Sequence, residues 1–277
     1  MKIPFWRKRQ PGYDAGFEPE TPCERRYLAY QIASLQGIGA RNEQQDAFGT
    51  ANADDVLAIK DNGLLAVVAD GIGGMLGGRQ ASERVVRSLI DSFNQMDMKA
   101  GIPEQLNQAV ANASDDVLRM LEGQGGSTVV ACVIHDENFY FSSVGDSCLF
   151  LLRRDQLCRV NIEQNCLTQE YRSEIRAGRM NQDIGLSSRE AVALTHYMGM
   201  ENLDEMDYLK SPLHLVAGDM ILVCSDGVGD YIPEEEIRQC LLSGSPRDVC
   251  SQLEERIIRA NSKYQDNYTA IVIQCRY

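Results

Sequence analysis

Two periods organise the apolar positions of this chain. Leu64-Leu65-Ala66-Val67-Val68-Ala69 and Met220-Ile221-Leu222-Val223-Cys224 are unbroken apolar runs, each followed closely by Asp-Gly. Short runs of this kind, bounded by turn residues, predict strands buried on both faces. Thr128–Ile134, Phe139–Val144, Cys148–Leu152 and Thr269–Cys275 predict further strands from their apolar and β-branched content, and Tyr27–Leu35 alternates as a strand does. The other period is helical. Ala81, Val85, Leu89 and Phe93 recur every fourth residue, and Leu106, Val110, Ala113, Val117 and Leu121 form a second stripe. Both predict amphipathic helices, as do Val249, Leu253 and Ile257 nearer the end. Arg172 to His196 is polar and helix-like, with a break at Gly178.

His135-Asp136-Glu137-Asn138 and Gly145-Asp146-Ser147 are too short to carry crossover helices, so the strands they join are antiparallel. Antiparallel strands with segregated helices predict an α+β layered sandwich. Residues 1–26 mix Pro, Gly and charge without periodicity and read as a flexible N-terminal tail. Residues 27–277 read as a single domain.

The formal net charge of −13 excludes classes of partner. A field of that sign repels phosphate backbones and anionic lipid, so nucleic acid and membrane surfaces are not expected. A bound divalent cation reverses the potential locally, so small or local phosphate groups remain admissible. The nine cysteines show no C-x-x-C spacing, which argues against structural zinc. They read as reduced thiols in a cytoplasmic protein. No stretch is apolar enough to span a bilayer, and the basic start Met1 to Arg9 lacks a following apolar segment.

Three aspartates share one setting. Asp70 follows the run ending at Ala69 and precedes Gly71; Asp226 follows Ser225 and precedes Gly227; Asp266 stands just before the final strand. Strand ends hold side chains rigidly, and hard oxygen ligands suit Mg²⁺ or Mn²⁺ better than zinc. Asp70-Gly71-Ile72-Gly73-Gly74 allows close backbone approach to a ligand. It is not a dinucleotide loop, because Leu76 occupies the place of the third glycine. Upstream, Arg41 precedes Asp46 in Arg41-Asn42-Glu43-Gln44-Gln45-Asp46. Arginine is the natural bidentate clamp for a phosphate dianion.

With these elements in order, the chain resembles the metal-dependent protein phosphatases (PPM, type 2C) of the bacterial branch, from about Gln36 to Ile273. The matching blocks are Arg41 with Gln44-Gln45-Asp46, Asp70 to Gly74, Gly126-Ser127-Thr128, Gly145-Asp146-Ser147, Ser225-Asp226-Gly227 and Asp266-Asn267. The resemblance implies a four-layer α-β-β-α sandwich of two antiparallel sheets flanked by helices. It implies two Mn²⁺ or Mg²⁺ ions held by Asp70, the Gly71 carbonyl, Asp226 and Asp266, with Asp46 in or just behind that shell and Arg41 on the substrate phosphate. It implies hydrolysis of phosphoserine and phosphothreonine by a metal-bridging hydroxide, without a phosphoenzyme. The partners implied are a phosphorylated protein and a Ser/Thr kinase to oppose, with the enzyme a monomer. The family's flap falls at about residues 172–198 and is expected to be mobile. The chain departs from the family at Gln45, often Glu; at Cys148, usually Arg; at Gly123, where bacterial relatives place a third-metal aspartate; and at Ile72, a histidine in some eukaryotic relatives. Gln45 and Cys148 keep open the alternative of a pseudophosphatase that binds phosphoproteins without turnover.

Overall fold

The computed structural model describes residues 27–72, 77–178 and 185–277. The expected tail, Gly73 and Gly74, and the middle of the expected flap lie outside the described residues.

Two antiparallel sheets face each other. The first has the order β1 (Ala29–Gly37), β11 (Tyr268–Arg276), β10 (Met220–Cys224), β6 (Cys148–Arg153) and β7 (Gln156–Arg159). The second runs β2 (Ala47–Ala51), β3 (Leu64–Ala69), β4 (Val129–His135), β5 (Asn138–Val144) and β8 (Asp207–Tyr208), with β9 (Leu213–His214) also on β5. Helices α2 (Gly78–Phe93) and α3 (Ile102–Leu121) cover the second sheet, and α7 (Glu234–Leu241) and α8 (Pro246–Ala260) cover the first. The remaining helices are short: α1 (Val56–Asn62), α4 (Cys166–Arg176), α5 (Ser188–Ala191) and α6 (Asp226–Gly229).

The four layers enclose three apolar cores, and the strands distribute their residues between them by alternation. Leu64, Ala66 and Val68 of β3 point into the core between the sheets, while Leu65, Val67 and Ala69 pack under α2 and α3. On β10, Ile221 and Val223 enter the inter-sheet core while Met220, Leu222 and Cys224 face α7 and α8. A strand covered on both sides has no solvent face to keep polar, which is why these runs are apolar throughout. α8 starts at a capping box, with Ser245 and Asp248 satisfying each other's backbone N–H groups and Pro246 in the first turn. Among the described residues no helix is long and apolar enough to cross a membrane.

The expected strands and both long helices form, and the differences are local. The helix expected over Arg172–His196 begins earlier, at Cys166, capped by the Asn165 side chain on Thr168 N, and ends at Arg176. After the short α5, the chain leaves helix. Leu194 bridges Asn165, and Met198 bridges Ser127 beside the second sheet.

Candidate active site

All six matched blocks meet at one end of the sandwich, in a cleft of about 420 Å³ lined by Arg41, Asp70, Ile72, Thr128, Asp146, Val192, Leu194, Tyr197, Asp226 and Asp266. A larger cavity of about 800 Å³ lies at the opposite ends of β6, β10 and β11. Its buried carboxylate, Asp219, is already satisfied by Arg153 at 2.8 and 2.6 Å and by Val216 N. The smaller cleft is where unsatisfied chemistry collects.

Asp70 leaves β3 beside the head of β4. Its carbonyl accepts from Thr128 N and Ser127 Oγ, both at 2.8 Å, and its N–H donates to Thr128 Oγ1 at 3.1 Å. Gly71 N donates to the Gln45 carbonyl at 3.1 Å. The glycine requirement at Gly71 comes from packing, not from positive φ. A Cβ there would lie 2.4 Å from Gly78 O and 2.6 Å from Gln45 O. Asp226 opens the single turn α6, with Ser225 as its N-cap. Gly227 follows because a Cβ at that place would fall 1.8 Å from Asn267 O.

Asp266 reaches the cleft from the loop before β11. Arg41 Nη2 donates to its Oδ2 at 2.5 Å, and Asn267 N donates to its Oδ1 at 2.8 Å. The loop carrying Arg41 is laid against this segment by Gly39, whose φ of +62° and close approach to Asp266 O suit only glycine. Asn267 completes the join. It accepts from Gln45 N at 2.7 Å and donates to Ile38 O and Glu43 O at 2.9 and 3.0 Å.

Asp46 does not line the cleft. It is buried behind it, with Ser225 Oγ donating to its Oδ2 at 2.8 Å, and that hydroxyl accepting in turn from Thr269 N at 3.0 Å. Asp46 therefore ties the first block of the sequence to the strand end that presents Asp226.

The electrostatics are those of acids crowded out of water. Burial, then the charges of Asp226 and Asp46, push the Asp70 carboxyl well above its ordinary range. Burial and the nearby Asp146 raise Asp226 to about 8. Burial and Asp230 raise Asp146 to about 6. Burial also raises Asp46, against the lowering effect of its hydroxyl donors. Asp46 Oδ1 and Asp226 Oδ1 are buried and have no hydrogen-bond partner. Buried carboxylate oxygens without donors are rare, because each forfeits its solvation.

Divalent cations answer both features: they supply charge to the crowded acids and partners to the orphaned oxygens. The donor set is all oxygen, which fits Mg²⁺ or Mn²⁺. Among the described residues no three acidic, cysteine or histidine side chains already close around one point. The described cysteines are free, and no histidine lines the cleft.

Asp146 is the carboxylate that sequence reasoning missed as a site residue. Its setting carried the signal, since Gly145-Asp146-Ser147 follows a buried strand as the other acidic turns do. Arg159, on β7, was also missed. Its Nη2 donates to the Asp146 carbonyl at 2.9 Å. A guanidinium thus supports this turn from a neighbouring strand, while Cys148 is buried against Gly229.

Comparison with known proteins identifies the family and the fold. The model of the family described as "Protein phosphatase 2C" matches residues 39–263. The "Serine/threonine phosphatase stp" of Listeria monocytogenes is 27% identical over 224 residues, spanning 78% of this chain and 86% of the relative. "Protein phosphatase PhpP" of Streptococcus pneumoniae is 25% identical over 191 residues, 66% of this chain and 74% of the relative. Among solved structures, the serine/threonine phosphatase of S. agalactiae superposes with a TM-score of 0.74 at 22% identity, covering 89% of this chain and 99% of that one. The catalytic domain of PstP, solved in complex with two manganese ions, gives 0.70 at 22% identity, covering 90% and 100%.

Proposed function

The chain belongs to the protein phosphatase 2C family, and from that premise we propose that its cleft hydrolyses phosphoserine and phosphothreonine in phosphorylated proteins, opposing a Ser/Thr kinase. The observation that carries this reading is the convergence of Asp70, Asp146, Asp226 and Asp266 with Arg41 on one cleft, two buried carboxylate oxygens in the cluster lacking any donor. Asp70, Asp226, Asp266 and the Gly71 carbonyl would hold two Mn²⁺ or Mg²⁺ ions, with Asp46 behind them. When bound, such ions supply acidity to water and positive charge beside a phosphoryl group.

The chain's own residues do the rest. Arg41 offers a planar donor fork at the cleft, oriented by Asp266, and binds the phosphoryl dianion. Ser225 and Thr269 hold Asp46 in one orientation. Thr128 fixes the backbone of Asp70 and, through Ser147 Oγ at 2.7 Å, the turn that carries Asp146. The same reading makes residues 27–277 one catalytic domain, working as a monomer in the cytoplasm, with a flap over about 172–198.

The test is phosphate release from a phosphothreonine peptide and from p-nitrophenyl phosphate by protein stripped of metal. Mn²⁺ and Mg²⁺ are titrated, with Asp226→Asn in parallel. Metal-dependent turnover that the substitution abolishes supports the reading. Metal binding with no turnover of either substrate overturns it in favour of a phosphoprotein-binding pseudophosphatase.

A further inference from the structure

The cleft has a second kind of wall. Ile72, Val192, Leu194 and Tyr197 line the same space as the carboxylates, and nothing in the hydrolytic reading uses them. Val192 is 60% exposed, and Leu194 and Tyr197 are half-buried. Single apolar side chains on a surface need no explanation, but four lining one reactive cleft do.

This wall is anchored. Ile72 N donates to Gly126 O at 3.0 Å. The Tyr197 ring and the Ile72 side chain both pack over Gly126, so closely that a Cβ there would lie 2.7 Å from Tyr197 Cδ2 and 2.8 Å from Ile72 Cδ1. Met198 exchanges backbone hydrogen bonds with Ser127 at 2.7 and 3.2 Å, and Leu194 bridges Asn165. An apolar surface that is already ordered binds without first losing conformational freedom.

We propose that Ile72, Val192, Leu194 and Tyr197 form a subsite for an apolar side chain close in sequence to the phosphorylated residue of a protein substrate. The proposal rests on the phosphatase reading of the cleft and narrows it to a substrate class. Continuity with the site of reaction selects the occupant: a chain whose phosphate lies at Arg41 and the aspartates must pass along the cleft's other wall. Charge selects against the alternatives. An acidic flank meets Asp146, Asp226 and Asp266. A small metabolite phosphate would leave the wall uncovered.

The test uses the manganese-loaded full chain and phosphothreonine peptides identical except for Leu, Gly or Asp at the positions flanking the phosphothreonine, with p-nitrophenyl phosphate as the check that the centre turns over. The protein is compared with V192S/L194S, two substitutions at sites already partly in water. The expected result is a kcat/KM about tenfold higher for a Leu flank than for Gly, lower still for Asp, carried mainly in KM. V192S/L194S levels Leu and Gly while leaving turnover of the Gly-flanked peptide unchanged. Equal rates on Leu and Gly peptides with the native protein, or a Leu preference that survives V192S/L194S, overturn the subsite while leaving the phosphatase standing. Failure to turn over any substrate, p-nitrophenyl phosphate included, removes the phosphatase reading and the subsite with it.

Discussion

Removing metal should invert the usual response of this protein to pH. Ordinary carboxylates are lowered by folding, and their proteins weaken in acid. Here the cleft acids are raised, Asp226 from 3.8 to about 8 and Asp146 to about 6, with Asp70 and Asp46 moved in the same direction. A carboxyl raised by folding stabilises the native state fully below its unfolded value, and that stability is lost as pH rises through the folded value. The relevant window runs from the ordinary carboxylate range up to about 8, where Asp226 releases its proton. Each proton held by the folded state alone changes stability by ~1.4 kcal/mol per pH unit. Between pH 6 and pH 8, Asp226 by itself should therefore weaken the metal-free protein by roughly 2 kcal/mol, a fall in urea midpoint of about 1 M. The assay is urea unfolding followed by far-UV circular dichroism across this range, in chelator and in saturating Mn²⁺. With metal the slope should reverse, because ligands must be deprotonated to bind. Asp226→Asn should flatten the metal-free slope, since the amide has no proton to release and relieves the charge facing Asp70. A metal-free midpoint that is constant or rises from pH 6 to pH 8 would refute the account of the cleft as a cluster of desolvated acids.

Three further outcomes follow from the same contacts. Arg41→Ala should lower kcat/KM on phosphopeptides about 100-fold, the scale of losing one donor to a developing phosphoryl charge, whereas Arg41→Lys should recover only part of it because the fork is gone. Ser225→Ala removes the hydroxyl that donates to Asp46 and accepts from Thr269 N; calorimetry should show Mn²⁺ bound roughly 10- to 100-fold more weakly, with the fold retained by circular dichroism. Gly227→Ala sets a methyl group 1.8 Å from Asn267 O, so the join between α6 and the loop before β11 must open; thermal unfolding should fall by several degrees and metal-dependent turnover should drop with it.

Legibility from sequence followed burial. β3, β4, β10 and β11 could be read because strands covered on both faces permit almost nothing but apolar side chains. β2 could not. Ala47-Phe48-Gly49-Thr50-Ala51 looks like a loop, yet Gly49 is there because Val86 and Ile90 of α2 occupy the space a side chain would take. α1 was equally silent: Val56 and Leu57 lie on the surface, and the helix is started by the Asp55 side chain accepting from Leu57 N and Ala58 N. In the site, Arg41, Asp70, Asp226 and Asp266 were found through their motifs and strand-end settings. The contacts that orient them were not, because Arg41–Asp266, Gln45–Asn267 and Ser225–Asp46 join positions about two hundred residues apart. Asp146 shows the opposite failure. Its block was matched, but Asp146 was not taken as a site residue until the fold showed the turn opening onto the cleft.

The position of β11 has a consequence for synthesis. This strand lies inside the first sheet, between β1 and β10, and its residues pair with 29–37 on one side. A ribosome delivers the chain from its N-terminal side, so β1 and β10 are made with a gap between them that only residues 268–276 fill. Asp266, at the head of that strand, is also the partner that orients Arg41. Until this segment emerges the nascent chain has neither a closed sheet nor a complete cluster of acids. The pairing that completes the sheet is therefore also the one that brings Asp266 to Arg41 and the other acids.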